Sequence, residues 1–179
     1  MRLFVAINFS ESTRRGLVSL QAELKQTATR GRFTAEENLH LTLAFLGACD
    51  RAQCQQAIRV VDSICTAAFP IEITRISRLQ RTDGDIWWTG LRESAPLKAL
   101  QGDLTDKLRI AGFVLEDRPY TPHITLGRQM VTDMDEKTVS PFGETVEQIH
   151  LMKSEQVDGK LVYTSVWEKG LTPSGAPLS

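Results

Sequence analysis

The sequence predicts an α+β fold: a two-lobed domain with two mostly antiparallel sheets facing a central cleft and helices on the outside. Three observations predict it. The tetrapeptide His40-Leu41-Thr42-Leu43 returns as His123-Ile124-Thr125-Leu126, nearly half the chain later. Stretches of strand-like alternation and of helix-like apolar spacing are interleaved in both halves, and two turn signals, Thr82-Asp83-Gly84 and Asp158-Gly159, suit antiparallel hairpins. No low-complexity segment or linker divides the 179 residues, so 1–179 is read as one domain.

Leu3 to Asn8 reads as a buried first strand. Ser10 or Ser12 caps a helix running to about Gln26, with Leu17, Leu20 and Leu24 as its apolar stripe. Thr29 to Arg32 reads as a loop, Phe33 and Thr34 as the start of a short strand, and Glu36-Glu37-Asn38 as a polar turn. Leu39 to Leu46 is the first His/Thr strand, closed by Gly47. Asp50 and Gln53 have the spacing of a capping box, which starts a helix to about Ala67.

After Pro70, Ile71 to Leu79 and Asp85 to Leu91 form a hairpin. Trp87 and Trp88 point to opposite faces of the second strand, at least one of them into the core. Ser94 caps a helix with Pro96 in its first turn, Leu97, Leu100, Leu104 and Leu108 on its core face, and Gly112 at its end. Pro119 and Pro122 lead into the second His/Thr strand, which runs to Arg128. Residues 129–143 read as irregular or briefly helical. Ile149 to Glu155 and Leu161 to Glu168 form a last hairpin, and 172–179 reads as a disordered tail.

The totals exclude several classes. A net charge of −1 argues against a broad basic surface for gripping long nucleic acid. Cys49, Cys54 and Cys65 lack C-x-x-C spacing, which suggests neither a disulfide framework nor a zinc site. The apolar start, Met1 to Ile7, is short and is followed at once by Glu11, Arg14 and Arg15, unlike a leader peptide. No stretch approaches the length of a membrane span. The expectation is a cytoplasmic protein with no membrane association.

On a strand, His and Thr two places apart share a face, with Cα atoms roughly 6–7 Å apart. The alternate residues, Leu41 and Leu43 or Ile124 and Leu126, then face the core. Two of the three histidines of the chain sit in this repeated frame. Two imidazoles and two hydroxyls on one cleft can hold a phosphate and move protons on both sides of it, because free His titrates near pH ~6.5. Zinc would need a further carboxylate or cysteine beside His40 and His123, and neither H-E-x-x-H nor G-x-S-x-G occurs. No metal or other cofactor is expected. His150 opens a late strand without a Thr partner and reads as structural or surface.

At these residues the sequence resembles the two-histidine phosphoesterase superfamily, and within it the bacterial RNA 2′,3′-cyclic phosphodiesterases, also called 2′–5′ RNA ligases. The matching stretches are RLFVAI at 2–7, NLHLTLAFLG at 38–47 and RPYTPHITLGR at 118–128, with Leu151, Ser154, Gly159, Tyr163 and Trp167 towards the end. The resemblance implies the twofold bilobal fold and metal-independent hydrolysis of an RNA 2′,3′-cyclic phosphate to a 2′-phosphomonoester. It implies His40 as proton donor to the leaving oxygen and His123 as proton acceptor from water, an ordering that residue types alone do not reveal. Thr42 and Thr125 would contact the phosphate.

Arg128 is a candidate for steadying a phosphate or stacking on a base, with a plain surface arginine as the rival. Strict alternation puts it on the face opposite His123, so either the strand bends at Gly127 or Arg128 reaches the cleft from the strand end. Tyr120 is a candidate for stacking on a nucleobase, or a packed loop aromatic. The partners expected are RNA ends or small cyclic nucleotides; no protein partner is implied, and a monomer is expected. Two other readings remain at this point: joining of tRNA halves through a 2′–5′ bond, and non-catalytic binding of RNA ends or nucleotides.

Overall fold

A computed structural model describes residues 1–173. Thirteen elements follow one another: β1 (Arg2–Asn8), α1 (Glu11–Thr27), β2 (Arg30–Phe33), a 3₁₀ turn (Glu36–Asn38), β3 (His40–Ala48), α2 (Arg51–Asp62), β4 (Phe69–Leu79), β5 (Asp85–Leu91), α3 (Ala95–Ile110), β6 (His123–Val131), β7 (Lys137–Val146), β8 (Gln148–Val157) and β9 (Lys160–Gly170). They form an α+β fold with two sheets, ordered β3-β1-β8-β9 and β2-β6-β5-β4-β7. All named strand pairs are antiparallel. The halves correspond: β3, β1, β8 and β9 match β6, β5, β4 and β7 in order, and β2 is an extra edge strand.

Local chemistry accounts for the helices. Ser10 accepts from the Thr13 amide, and Ser94 accepts from the Leu97 amide. Both hydrogen bonds of the Asp50/Gln53 capping box are present, at 2.8 and 2.9 Å. Gly112, at φ +96°, takes the left-handed conformation that lets the chain leave α3. In the last hairpin, Asp158 and Gly159 sit at φ 51° and 77°, the positive angles a two-residue turn between antiparallel strands needs. The helices pack on the outer faces: α1 against β6 and β7, α2 against β8, β9 and α3, and α3 also against β3. One cluster of buried side chains runs through both halves, including Val5, Ile7 and Leu41 from the first and Ile73, Trp87 and Ile124 from the second.

Four expectations need correction. The loop assigned to Thr29–Arg32 is a strand from Arg30, because β6 supplies a pairing edge that this polar stretch does not advertise. Helix α2 ends at Asp62, short of Ala67: the Ser63 hydroxyl donates to the Val60 carbonyl at 2.6 Å and closes the last turn. Cys65 lies beyond that end and is exposed.

The irregular stretch assigned to 129–143 is mostly strand, with β6 continuing to Val131 and β7 starting at Lys137. The register of β7 against β4 jumps between Phe142↔Ile73 and Thr138↔Arg75, so three residues oppose one. That bulge brings Val139 and Phe142, three apart, both against the core, which reads as helical spacing in the sequence. Pro141 is tolerated because β7 is an edge strand. Finally, Thr172 is not tail: it bridges to Ala67, with Ala68 donating to its carbonyl at 2.7 Å. The rest of the expected tail, 174–179, lies outside the described residues. Among the described residues, no helix is long and apolar enough to cross a membrane.

Candidate active site

The two His/Thr strands meet at the junction of the sheets, where β3 packs beside β6. Each begins at its histidine, and each histidine is held in the same way. His40 Nδ1 lies 2.7 Å from the Asn38 carbonyl, and His123 Nδ1 lies 2.8 Å from the Thr121 carbonyl. A carbonyl only accepts, so both Nδ1 atoms carry hydrogen and both Nε2 atoms are left for chemistry. Asn38 is itself anchored, its side-chain amide donating to the Leu161 carbonyl at 2.9 Å.

The environments of the two rings differ. His40 is wedged against Phe4 and Tyr163, with ring centroids 5.0 and 5.2 Å away. Its Nε2 lies 2.8 Å from the Thr42 hydroxyl. Burial lowers its pKa below the ordinary histidine value; the Asn38 carbonyl opposes this, and the charge of His123 adds to it. His123 is exposed and packs T-shaped with Trp88, ring centroids 6.0 Å apart. It lines a cavity of about 460 Å³ together with Thr42, Phe45, Gln101 and Tyr120. Thr42 therefore joins the two halves of the site: it bonds to His40 and shares this cavity with His123. On the other side of His40 lies a hollow of about 260 Å³ lined by Asn8, Arg14, Tyr163 and Ser165.

Both strands bulge at the residue after the threonine. Against β1, Thr42 pairs with Ala6 and Ala44 with Val5, which leaves Leu43 as an extra residue. Against β5, Thr125 pairs with Trp88 and Gly127 with Trp87, which leaves Leu126 extra. A bulge shifts the alternation by one place. Leu126 and Gly127 are both buried, and Arg128 returns to the exposed face. Its charge acts on the Tyr163 phenol, whose pKa burial raises and Arg128 lowers. Arg128 thus lies on the cleft side, and the conflict with strict alternation disappears. The equivalent residue of the first half is Phe45, which is 65% exposed and lines the His123 cavity.

Each bulged carbonyl accepts a glutamine amide from a helix. Gln101 of α3 donates to Leu43 at 3.2 Å, and Gln21 of α1 donates to Leu126 at 2.9 Å and also to Thr34 at 2.9 Å. The helix that precedes one histidine strand thereby steadies the other.

Thr125 is half-buried beside Trp88 on the cleft face. Tyr120 is half-buried, and its hydroxyl donates to the Thr42 carbonyl at 2.8 Å, tying the loop before β6 to β3. Burial pushes its phenol well above the usual range. His150 turns out to lie on the cleft-side face of β8, cross-strand from Ala6, buried and 3.1 Å from the Ser165 hydroxyl. The partners that sequence reasoning did not assign, Phe4, Trp88 and the two glutamines, come from strands and helices distant in the chain. Only the alternation of Trp87 and Trp88 hinted at one of them. Among the described residues, no three His, Cys, Asp or Glu side chains converge as metal ligands would.

The model of one protein family, described as LigT like phosphoesterase, matches residues 7–88 and 91–163. Among curated relatives, the RNA 2′,3′-cyclic phosphodiesterase of Thermotoga maritima is 28% identical over 182 residues, covering 98% of this chain and 90% of that protein. A Geobacillus stearothermophilus protein of the same name is 26% identical over 129 residues, 70% of this chain; the match spans only 41% of that protein. The crystal structure of E. coli LigT complexed with 3′-AMP superposes with a TM-score of 0.80 at 26% identity, covering 96% of this chain and 98% of that one. A family match that runs through both histidine strands and most of the chain between the termini shows that this protein belongs to the LigT-like phosphoesterases.

Proposed function

We propose that this protein hydrolyses RNA 2′,3′-cyclic phosphate ends, or 2′,3′-cyclic nucleotides, to 2′-phosphomonoesters by acid/base catalysis with two histidines and no metal. The observation that carries the reading is the matched presentation of the rings: two Nδ1 atoms fixed on carbonyls two residues upstream, with both Nε2 atoms directed away from the strands' own anchors. The names of the relatives support the substrate class.

In the proposed reaction, water attacks phosphorus in line with the bond to the 3′ oxygen. His123 takes the proton of the water, the bond to the 3′ oxygen breaks, and His40 delivers a proton to that oxygen. The hydroxyls of Thr42 and Thr125 donate to the non-bridging oxygens, where negative charge sits. The hydrogen bond between His40 and Thr42 couples two of these roles. When Nε2 of His40 is unprotonated, it accepts from Thr42. When it is protonated, it donates to Thr42 and releases the hydroxyl hydrogen for the phosphate. Arg128, on the cleft side, adds a cation near the substrate.

Incubating the protein with a 2′,3′-cyclic nucleotide in EDTA and following the product by phosphorus NMR tests this. A 2′-phosphomonoester is expected; a 3′-phosphomonoester, or no turnover of mono- or oligonucleotide substrates, overturns it.

The burial of His40 carries a pH prediction. A proton donor must be protonated, and a lowered pKa means the proton is lost earlier as pH rises. kcat/KM, which reports the free enzyme, is therefore expected to start falling with rising pH below about 6.5, the ordinary histidine value. A bound anionic phosphate favours the protonated ring, so the same limb of kcat should lie at higher pH. A kcat/KM that shows no fall as pH rises overturns the requirement for a protonated histidine as donor.

A further inference from the structure

We propose that Arg75 is a second anion-binding position of this cleft, which takes the phosphodiester one nucleotide before the reacting phosphate and makes the enzyme prefer the end of an RNA chain to a free cyclic nucleotide. The inference rests on the phosphodiesterase reading above.

Across the second sheet, His123 on β6 stands opposite Gly90 on β5, and Gly90 stands opposite Arg75 on β4. Strands lie about 4.7–4.9 Å apart, so the Arg75 backbone is roughly 10 Å from that of His123. The side chain does not extend away from the site. It lies back over Gly90, where an added Cβ would overlap the guanidinium. The guanidinium carbon sits 5.6 Å from the centre of the Trp88 ring, and the same side chain packs T-shaped with His123. The absence of a side chain at position 90 thus lets Arg75 come one strand closer to the reacting centre.

Among the described residues, Arg75 makes one side-chain hydrogen bond, a long one from Nη1 to the Leu91 carbonyl at 3.4 Å, out of five N–H donors. Glu72 pairs with Arg92, and Asp85 and Glu136 pair with Arg78. Among the described residues, no carboxylate pairs with Arg75. A half-buried guanidinium stacked on an aromatic face, with donors left over, is matched to a phosphate in shape and charge. A chain whose terminal cyclic phosphate lies between His40 and His123 has its next phosphate on the 5′ side of the terminal nucleoside, one residue away. A cyclic mononucleotide has nothing there.

The test compares a 2′,3′-cyclic mononucleotide with a dinucleotide that ends in the same cyclic nucleotide and carries one further phosphodiester. In the wild type, KM is expected to be lower for the dinucleotide, and kcat/KM for it to fall more steeply with salt. Arg75→Gln is expected to raise KM for the dinucleotide about tenfold, to leave the mononucleotide unchanged within about twofold, and to bring the two salt slopes together. Arg75→Lys, which keeps the stem and charge, should recover part of the loss; it also decides the question by the same comparison if the Gln variant does not fold. Equal effects on both substrates, or on neither, overturn the assignment. Failure of the wild type to turn over either substrate instead removes the phosphodiesterase reading on which it rests.

Discussion

Alanine at His40 or at His123 is expected to lower kcat for a 2′,3′-cyclic nucleotide by about 10²–10⁴-fold, with KM changed only a few-fold. The reason is the in-line displacement. The entering and leaving oxygens are at opposite ends of the transition state, so losing either proton-transfer group leaves one end of it uncompensated. Because both groups act in one step, the double variant should be far less impaired than the product of the single losses. The two variants differ in their side effects. His123 is exposed, so its removal should leave stability nearly unchanged. His40 is packed between Phe4 and Tyr163 and donates to Asn38, so His40→Gln is the companion variant that keeps more of the packing. Circular dichroism on each variant separates lost chemistry from lost fold. Turnover that survives in both alanine variants takes these residues out of the mechanism.

Trp87→Ala is expected to give the largest loss of stability of any single substitution in the second sheet, about 3–5 kcal/mol. Against a total of roughly 5–15 kcal/mol for a domain, that is enough to unfold a marginal protein. Trp87 is fully buried, and it stands cross-strand from Gly127, next to the Leu126 bulge. Removing the indole empties the space beneath the segment that turns Arg128 toward the cleft. The indole Nε1 is buried and, among the described residues, has no hydrogen-bond partner. Trp87→Phe removes that unsatisfied donor, whose burial costs about 1–3 kcal/mol, while keeping a ring in place. It should therefore cost much less than alanine. Urea unfolding midpoints of the two variants check this; an alanine variant within about 1 kcal/mol of wild type would mean that the ring does not support the sheet.

The capped helices, the hairpin turns and the inward and outward faces of the histidine strands were legible because their causes are local. A Ser beside the amide it caps, a Gly where φ is positive, and an apolar residue at every second position all act within a few residues. The repeated His-x-Thr frame was legible for the same reason, since two places along a strand is one face. The stretch that became β7 was not legible, because its three-against-one bulge imitates helical spacing and exists only through pairing with β4. The end of α2 and the pairing of Thr172 were also missed, because they depend on segments that meet only in the folded chain.

By itself, then, the sequence determined most of the element types, the two-lobed α+β plan and the repeated His-x-Thr frame. The tertiary structure alone decided how the residues around them are aimed. The bulge at Leu126 turns Arg128 to the cleft, the bare Gly90 lets Arg75 lean toward His123, and burial against Phe4 and Tyr163 lowers the pKa of His40. The physical reason is common to all three. Strand register, close approach and desolvation are set by what lies across the sheet, and the neighbours across a sheet come from distant parts of the chain.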